Sequence, residues 1–378
     1  MSSAIGYVAA SCALGENLTE AVTNLLAARV APRPETFTEL ADPVVMPYFA
    51  MRGEERVAEA IYADLLRMAQ SALGGLSATA RRRTGLFLGS SSFDVNVSES
   101  LYRQQLRERV LAVPMPIVGY GKLAQRLGEQ FTLSPHRHTY STACTSSANA
   151  LLYAHRMLEA KIIDHALVIG LEFFNATTLL GFHGLGLISP SGTLSPFSRE
   201  RDGLVLGEGF AVVLLSREEQ SEISLCGGAI TTDNHSLTAA NADGSSIAAV
   251  IERAVADSGV DVTSIVALKA HGTASLMNDE AEAAGLKQLF PDASMPPVLT
   301  LKPFCGHTLG ACGVLETALL VGCLQRGQIP GNPHAEVDPA LAIPLLRETR
   351  AAPVGHYLLN CFAFGGNNNA LVLRRDPL

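Results

Sequence analysis

Short apolar runs alternate with longer stretches whose apolar positions recur at helical spacing, from one end of the chain to the other. Gly85–Gly89 (GLFLG) is bounded by glycine and serine, as a buried strand would be. Ala166–Gly170 (ALVIG) repeats that pattern after a helical stretch from Ala148 to Lys161, and Phe210–Leu215 (FAVVLL) is a further strand. Ile247–Ser258 reads as a helix and Ser264–Lys269 as the strand after it. Leu315–Arg326 reads as a helix, and Tyr357–Leu359 and Ala370–Leu373 as strands. Such alternation with short connections predicts an α/β fold with buried, largely parallel or mixed sheets. No low-complexity linker divides the chain. Ser216–Glu222 (SREEQSE) is the most polar patch near the middle, and the expected halves are residues 1–220 and 221–378. No close sequence repeat relates them. Gly184–Gly209, rich in Gly, Ser and Pro, reads as a long ordered loop packed near a functional element.

Composition narrows the class. A length of 378 residues suggests roughly two domains. Hydrophobic residues make up 48% and charged residues 17%, enough for a large core and a large subunit interface. A net charge of −8 argues against nucleic acid or an anionic membrane as the main partner. No basic segment leads into the apolar stretch of a signal peptide, and no apolar run is long enough to span a bilayer. The seven cysteines include no C-x-x-C pair and read as reduced thiols of a cytoplasmic protein.

Four stretches carry candidate chemistry. In YSTACTSSANALL (Tyr140–Leu152), Cys144 sits where a strand turns into a helix. A helix N-terminus favours a thiolate and offers N–H groups to an oxyanion, which suits a nucleophile; the alternative is a buried structural cysteine. In KAHGTAS (Lys269–Ser275) a strand delivers His271 onto a Gly-Thr turn, with Asn278, Asp279 and Glu282 following where a helix opens. That is the strand end at which α/β folds keep their sites, although a hydrogen-bonded loop histidine would look alike. In LKPFCGHTLGACG (Leu301–Gly313), His307 lies among small residues before a helix and Lys302 is the only charge nearby. A tight helix–helix contact with a capping histidine is the alternative there. NCFAFGGNNN (Asn360–Asn369) is a glycine turn after a strand, able to line a site or simply to join two strands.

Together, one cysteine and two histidines on glycine- or serine-rich element edges describe a nucleophilic thiol site with two imidazoles. The sequence resembles the β-ketoacyl synthases, the decarboxylating condensing enzymes of the thiolase superfamily. TACTSS matches their nucleophile motif, HGTAS with Asp279 and Glu282 the first histidine motif, and LKPFCGHTLGACG the lysine and second histidine motif. NCFAFGGNN, ERDGLVLGEG (Glu200–Gly209) and TTDNHSLTAANADG (Thr231–Gly244) match in order and spacing. The likeness is to the elongating Cys-His-His type. It implies a thiolase-like α-β-α-β-α fold of two similar halves, the first bringing Cys144 and the second His271, His307 and the loop of Phe364, Gly365 and Gly366. It implies that Cys144 takes an acyl chain from a thioester on acyl carrier protein. A malonyl thioester then loses carbon dioxide and its enolate attacks the acyl group, in fatty acid, polyketide or aryl polyene synthesis. The N–H groups of Cys144 and Phe364 would form the oxyanion hole, and Phe364 would gate the acyl pocket. His271 and His307 would donate to the malonyl carbonyl, and Lys302 would organise the site by pairing with Glu282. No metal or other cofactor is implied. Arg107 and Arg109 are implied to dock the carrier protein, and the chain to form a homodimer or a heterodimer with a second ketosynthase-like subunit. Arg81-Arg82-Arg83 is a further basic run, read as solvated surface.

Departures from the family pattern support a second reading. The N-terminal region and the stretch from Gly192 to Arg201 look trimmed, and Ser195-Pro196-Phe197-Ser198 replaces the usual Arg-led segment. Ser275 stands for a usual Thr, Ala363 for a usual Gly and Asn367 for a usual Thr, and alanine at a positive φ would be costly. A chain-length-factor-like partner subunit, with restricted or no condensing activity, is therefore the alternative. A Cys/His metal site is a third reading, requiring closely spaced ligands.

Overall fold

In the computed structural model, residues 2–29, 32–37, 43–51, 58–93, 95–109, 119–217, 220–290, 294–332 and 336–377 are described. Within them the apolar runs become the strands of a ten-stranded sheet. These are β1 (Ser3–Cys12), β2 (Thr84–Gly89), β3 (Arg137–Tyr140), β4 (His165–Glu172), β5 (Gly209–Ser216), β6 (Ile223–Thr232), β7 (Ile265–Lys269), β8 (Val298–Leu299), β9 (Gly355–Phe362) and β10 (Asn367–Arg375). They lie in the order β8-β7-β9-β10-β6-β1-β5-β4-β2-β3. The order contains a repeat. In the first five strands β1–β5 and β5–β4 are antiparallel while β4–β2 and β2–β3 are parallel. In the second five, β6–β10 and β10–β9 are antiparallel while β9–β7 and β7–β8 are parallel. The arrays join where Ser3 faces Leu225 and Ala4 faces Ser224.

The main helices are α1 (Leu18–Leu26), α2 (Ala58–Ala72), α3 (Val95–Glu108), α4 (Tyr120–Gln130), α5 (Ser146–Glu159), α6 (Ala176–Gly184), α7 (Ser245–Asp257), α8 (Leu276–Leu289) and α9 (Cys312–Gln325). Their layers follow from the period-two pattern of the strands. On β5, Ala211, Val213 and Leu215 point to a central core with α5 and α9, while Phe210, Val212 and Leu214 point to an outer core with α2 and α4. On β9 and β10, Tyr357, Leu359, Leu371 and Leu373 face the same central core, while Leu358, Ala370 and Val372 face α7 and α8. Both faces of each array are thus covered, which is why these strands read as unbroken apolar runs. The layering is the expected α-β-α-β-α. Helix α9 is apolar all round because both arrays enclose it: every residue from Cys312 to Leu324 is buried.

The sequence reading did not name β1, β6 and β8 or helices α1, α2, α3, α4 and α6, and the elements it did name differ at their ends. Ser264 belongs to a short 3-10 turn, and β9 is longer than Tyr357–Leu359 at both ends. A three-stranded sheet of Arg33–Phe37, Val44–Phe49 and Leu206–Gly207 was not foreseen. It fixes the Gly184–Gly209 segment, in which Ile188 also bridges Leu204 and Leu206 bridges His307. No helix among the described residues is long and apolar enough to cross a membrane.

Candidate active site

Cys144 lies in the turn between β3 and α5, directly before the N-cap Thr145. The turn is drawn tight by its hydroxyls: Ser146 Oγ accepts from Thr142 N at 2.9 Å and donates to Ala143 O at 2.6 Å, and Thr145 Oγ1 donates to Thr142 O at 2.8 Å. Ala143 is left at φ +51°, a left-handed conformation costing a non-glycine residue on the order of 1 kcal/mol. The Cys144 carbonyl accepts from the thiols of Cys312 and Cys361 at 3.1 and 3.2 Å. All seven cysteines are buried and free of disulfides.

His271 leaves the carboxyl end of β7. Its turn is held by two carboxylates from the start of α8. Glu282 accepts from His271 N and Gly272 N, both at 2.9 Å, and from Asn360 Nδ2 at 3.0 Å. Asp279 accepts from Thr273 N at 3.0 Å and Phe197 N at 2.7 Å. His307 is fixed through its backbone to the Gly184–Gly209 segment: its N–H donates to Val205 O at 2.8 Å and its carbonyl accepts from Gly207 N at 3.1 Å. Its Nε2 lies 3.1 Å from Cys144 Sγ. The two imidazoles meet edge to face, with centroids 5.4 Å apart at 86°. Cys144, His271, His307, Phe364 and Gly366 line one cavity, with Phe182, Phe362, Leu204 and Asn278 among its other walls.

Lys302 is buried behind the imidazoles. It does not pair with Glu282 as expected. Its Nζ donates to Glu316 Oε1 at 2.8 Å and lies 3.3 Å from His271 Nδ1. Glu282 is already taken by the peptide groups of the His271 turn, whereas Glu316 enters from the middle of α9. A second lysine, Lys269, also contacts Glu316 and donates to Asn360 O at 2.7 Å. Glu316 and Lys269 escaped the sequence reading, but each left a signal: one charge inside the apolar helix CGVLETALLVGCLQ, and one at the end of an apolar strand.

Burial dominates the electrostatics. It pushes His271 well below the ordinary imidazole range, helped by Lys302, His307 and Lys269. It acts likewise on His307, helped by Lys302 and Lys269, so both rings are neutral. Burial tends to raise Glu316, but the two ammonium groups outweigh it and hold the carboxylate low. On Lys302 burial acts downward and the charge of Glu316 prevails, so it stays an ammonium. Burial pushes the Cys144 thiol up, Cys312 adds to this and Lys302 opposes it. The end of α5 acts in the same sense as Lys302, but the desolvated thiol rests protonated.

The glycine turn closes the cavity. Gly366 is at φ +74°, and a Cβ there would fall 1.7 Å from Asp233 O. Gly365 N donates to Leu237 O and Asp233 N to Gly366 O, both at 2.7 Å. Ala363 has φ −140° and ψ 154°, ordinary extended backbone, so the cost expected of an alanine there does not arise. The Phe364 ring stacks on Phe182 at 5.6 Å.

Arg107 and Arg109 are exposed at the end of α3, outside the cavity. Helix α3 is tied to the start of α6 by Glu99, which accepts from Ala176 N at 2.8 Å and Thr177 N at 2.6 Å. The triple-arginine run is tied locally: Arg81 to Leu73 O, Arg82 to Thr79 Oγ1 and Arg83 to Asp164. Among the described residues no group of three or more His, Cys, Asp or Glu is placed to hold a metal ion.

Comparisons with known proteins agree with this geometry. The model for the β-ketoacyl synthase N-terminal domain matches residues 55–221, and that for the C-terminal domain matches residues 223–336. The 3-oxoacyl-[acyl-carrier-protein] synthase 2 of Vibrio cholerae is 30% identical over 257 residues, covering 62% of this chain and 61% of that protein. The chain thus spans about three fifths of the length of that curated relative. Among solved structures, a chain of the ketosynthase–chain length factor complex from Xenorhabdus doucetiae superimposes with a TM-score of 0.84 at 26% identity, covering 99% of this chain and 98% of that one. A β-ketoacyl synthase from Burkholderia phymatum does so with 0.85 at 25% identity, covering both chains fully. With both domain models matched in order around a Cys-His-His site, the chain belongs to the β-ketoacyl synthase family.

Proposed function

We propose that the chain catalyses the decarboxylative condensation of an acyl thioester with a malonyl thioester, both carried on acyl carrier protein. The observation that carries this reading is the 3.1 Å contact of Cys144 Sγ with a neutral His307, beside a second neutral imidazole in one lined cavity. In the first stage the Cys144 proton passes to His307 and the sulfur attacks the thioester carbonyl. The tetrahedral oxyanion is held by the N–H groups of Cys144 and Phe364, and the carrier thiol leaves with the proton. In the second stage the malonyl C–carboxylate bond breaks and carbon dioxide departs. The electron pair passes into an enolate whose oxygen takes hydrogen bonds from His271 and His307. The enolate carbon then attacks acyl-Cys144, the C–S bond breaks and the thiolate returns. Two donors in a site closed to water stabilise such an oxyanion by roughly 3–4 kcal/mol each in favourable cases. Asp279 and Glu282 position His271, and Lys302 steadies its Nδ1.

A specialised polyketide or aryl polyene pathway is favoured over housekeeping fatty acid synthesis by the altered stretch from Gly192 to Arg201 and by the likeness to the Xenorhabdus complex. The same likeness favours a second reading, a partner subunit paired with an active ketosynthase; the assembled Cys144–His307–His271 site weighs against it. The test is the intact mass of the purified protein after incubation with acyl-carrier thioesters, beside Cys144→Ala. An adduct present in the parent and missing in the variant is the expected result. A folded parent that stays unmodified overturns the reading in favour of the partner subunit.

A further inference from the structure

Lysine 269 has no part in the chemistry just described, yet it is 3% exposed and its ammonium lies against the carboxylate that Lys302 uses. Two ammonium groups on one carboxylate leave that hydrogen-bonded cluster with a surplus positive charge, in a place where charge is costly unless balanced. The other charged or titratable groups around the cavity do not balance it directly. Asp233, in the cavity wall, is bonded to His235 N, Asn241 N and Ser246 Oγ. Glu282 is bonded to His271 N, Gly272 N and Asn360 Nδ2. Glu172 is bonded to the peptide or hydroxyl groups of Ser90, Ser91 and Ser92 and to Gly310 N. Asp279 holds Thr273 N and Phe197 N, and burial pushes it up to about 7. None of these four carboxyl groups is hydrogen-bonded to Lys269 or Lys302. Cys312 and Cys361 donate their thiols to the Cys144 carbonyl, and burial helps keep Cys312 and Cys305 protonated. What remains in reach of the cluster is the reacting end of the cavity.

We propose that Lys269 is a positioning residue: sharing Glu316 with Lys302, it gives the cavity floor a surplus positive charge that favours an anion beside the imidazoles, first the Cys144 thiolate and then the carboxylate of the incoming malonyl thioester. The charge acts on both imidazoles as such a role requires, since Lys269 and Lys302 each oppose protonation of His271 and His307 and leave the anion to the reactant. The carboxylate half of the inference rests on the condensation reading; the thiolate half does not.

The substitution is tolerable by design, because Lys269→Gln leaves Lys302 and Glu316 as a one-to-one pair. The first readout is the rate of Cys144 alkylation by iodoacetamide at fixed pH, followed by peptide mass. Lys269→Gln lowers it about tenfold, the effect of about one pH unit on the thiol. Lys269→Gln/Glu316→Gln restores one surplus charge without restoring the lysine, and recovers the rate to within about threefold. A merely structural Lys269 gives the opposite order, the double variant being the more damaged. The second readout is steady-state: Lys269→Gln raises KM for the malonyl thioester several-fold and leaves KM for the acyl thioester unchanged. Equal alkylation rates in folded parent and Lys269→Gln overturn the proposal. If Lys269→Gln does not fold, the double variant decides it, and a tenfold loss there is the refuting result. If no variant or parent condenses, the condensation reading has failed, while the alkylation series still decides the charge.

Discussion

Replacing Gly313 by alanine probes what holds the nucleophile against its histidine. Gly313 is in the first turn of α9, facing the first turn of α5. A Cβ there would lie 2.2 Å from Ala148 N and 2.6 Å from Ala148 Cα. Both are backbone atoms inside a helix, so no side chain can swing away. Ordinary contact begins near 3.4 Å, so the helix starts must part by about 1.2 Å. Cys144 precedes one of these helices and His307 the other, and their 3.1 Å contact opens by a similar amount. Overpacking of this kind costs roughly 1–3 kcal/mol of stability. A misplacement of about 1 Å between reacting groups costs on the order of 100-fold in rate. Gly313→Ala therefore lowers the acylation rate of Cys144 far more than its stability loss explains. Gly181→Ala, with nothing within 4 Å of the added carbon, is the control. The assay is single-turnover acylation by intact mass, paired with a denaturation curve. A Gly313→Ala protein that acylates within threefold of the parent refutes the claim that this crossing sets the Cys–His distance.

Further outcomes follow from the charges. Asp279 sits at about 7 in the fold against roughly 3.9 in the unfolded chain, so the fold holds a proton that the unfolded chain releases between those values; stability falls as pH rises through that window, and Asp279→Asn flattens the slope of Tm against pH. Glu316→Gln leaves two buried ammonium groups without a counter-ion and costs roughly 3–5 kcal/mol, whereas Lys302→Met leaves a paired Lys269 and costs less; denaturant midpoints of the two compared with the parent check the order. Arg107→Glu raises KM for carrier-bound substrate and leaves small thioesters unaffected, while Arg82→Glu changes neither; a like response of both substrates to Arg107→Glu removes the docking assignment.

The central strands β2, β4, β5, β7, β9 and β10, the helices α5, α7 and α9 and the Cys-His-His set were legible because each carries a local signal, whereas β1, β6 and α1 to α4 were not read from the sequence. Val212 and Val213 face opposite cores, and their apolar run is the mark of a strand buried on both sides. Cys144, His271 and His307 stand among residues so small that packing alone does not explain them. What the sequence concealed is pairing over distance. Lys302 has two candidate carboxylates in the sequence, Glu282 before it and Glu316 after it, and only the fold shows that Glu282 is occupied by peptide N–H groups while Glu316 is free to turn toward both lysines. The cost assigned to Ala363 failed for a related reason: a family preference for glycine says nothing of φ, and here the positive φ falls on Gly365 and Gly366.

The repeat of strand order explains why the site needs both halves. In each half a helix of the central layer follows the third strand: α5 after β3, and α9 after β8. Cys144 directly precedes the N-cap of α5 and His307 stands ahead of α9 with the 3-10 turn Leu309–Ala311 between, and the two helix starts cross where Gly313 meets Ala148. One fold element used twice therefore brings two N-termini, with their unpaired N–H groups and partial positive charge, to a single point. The two helix starts carry different chemistry, a thiol at one and an imidazole ahead of the other. His271 follows β7, the second strand of its half; its counterpart after β2 is the serine run Ser90–Ser92, which binds Glu172 and with it Gly310 N beside the His307 turn. The first half thus supplies the nucleophile and a brace for the second half's histidine, and the second half supplies both imidazoles. The Cys144–His307 contact is made across the halves, so cutting the chain between Ser216 and Ile223 would leave two pieces that share a topology and divide the site.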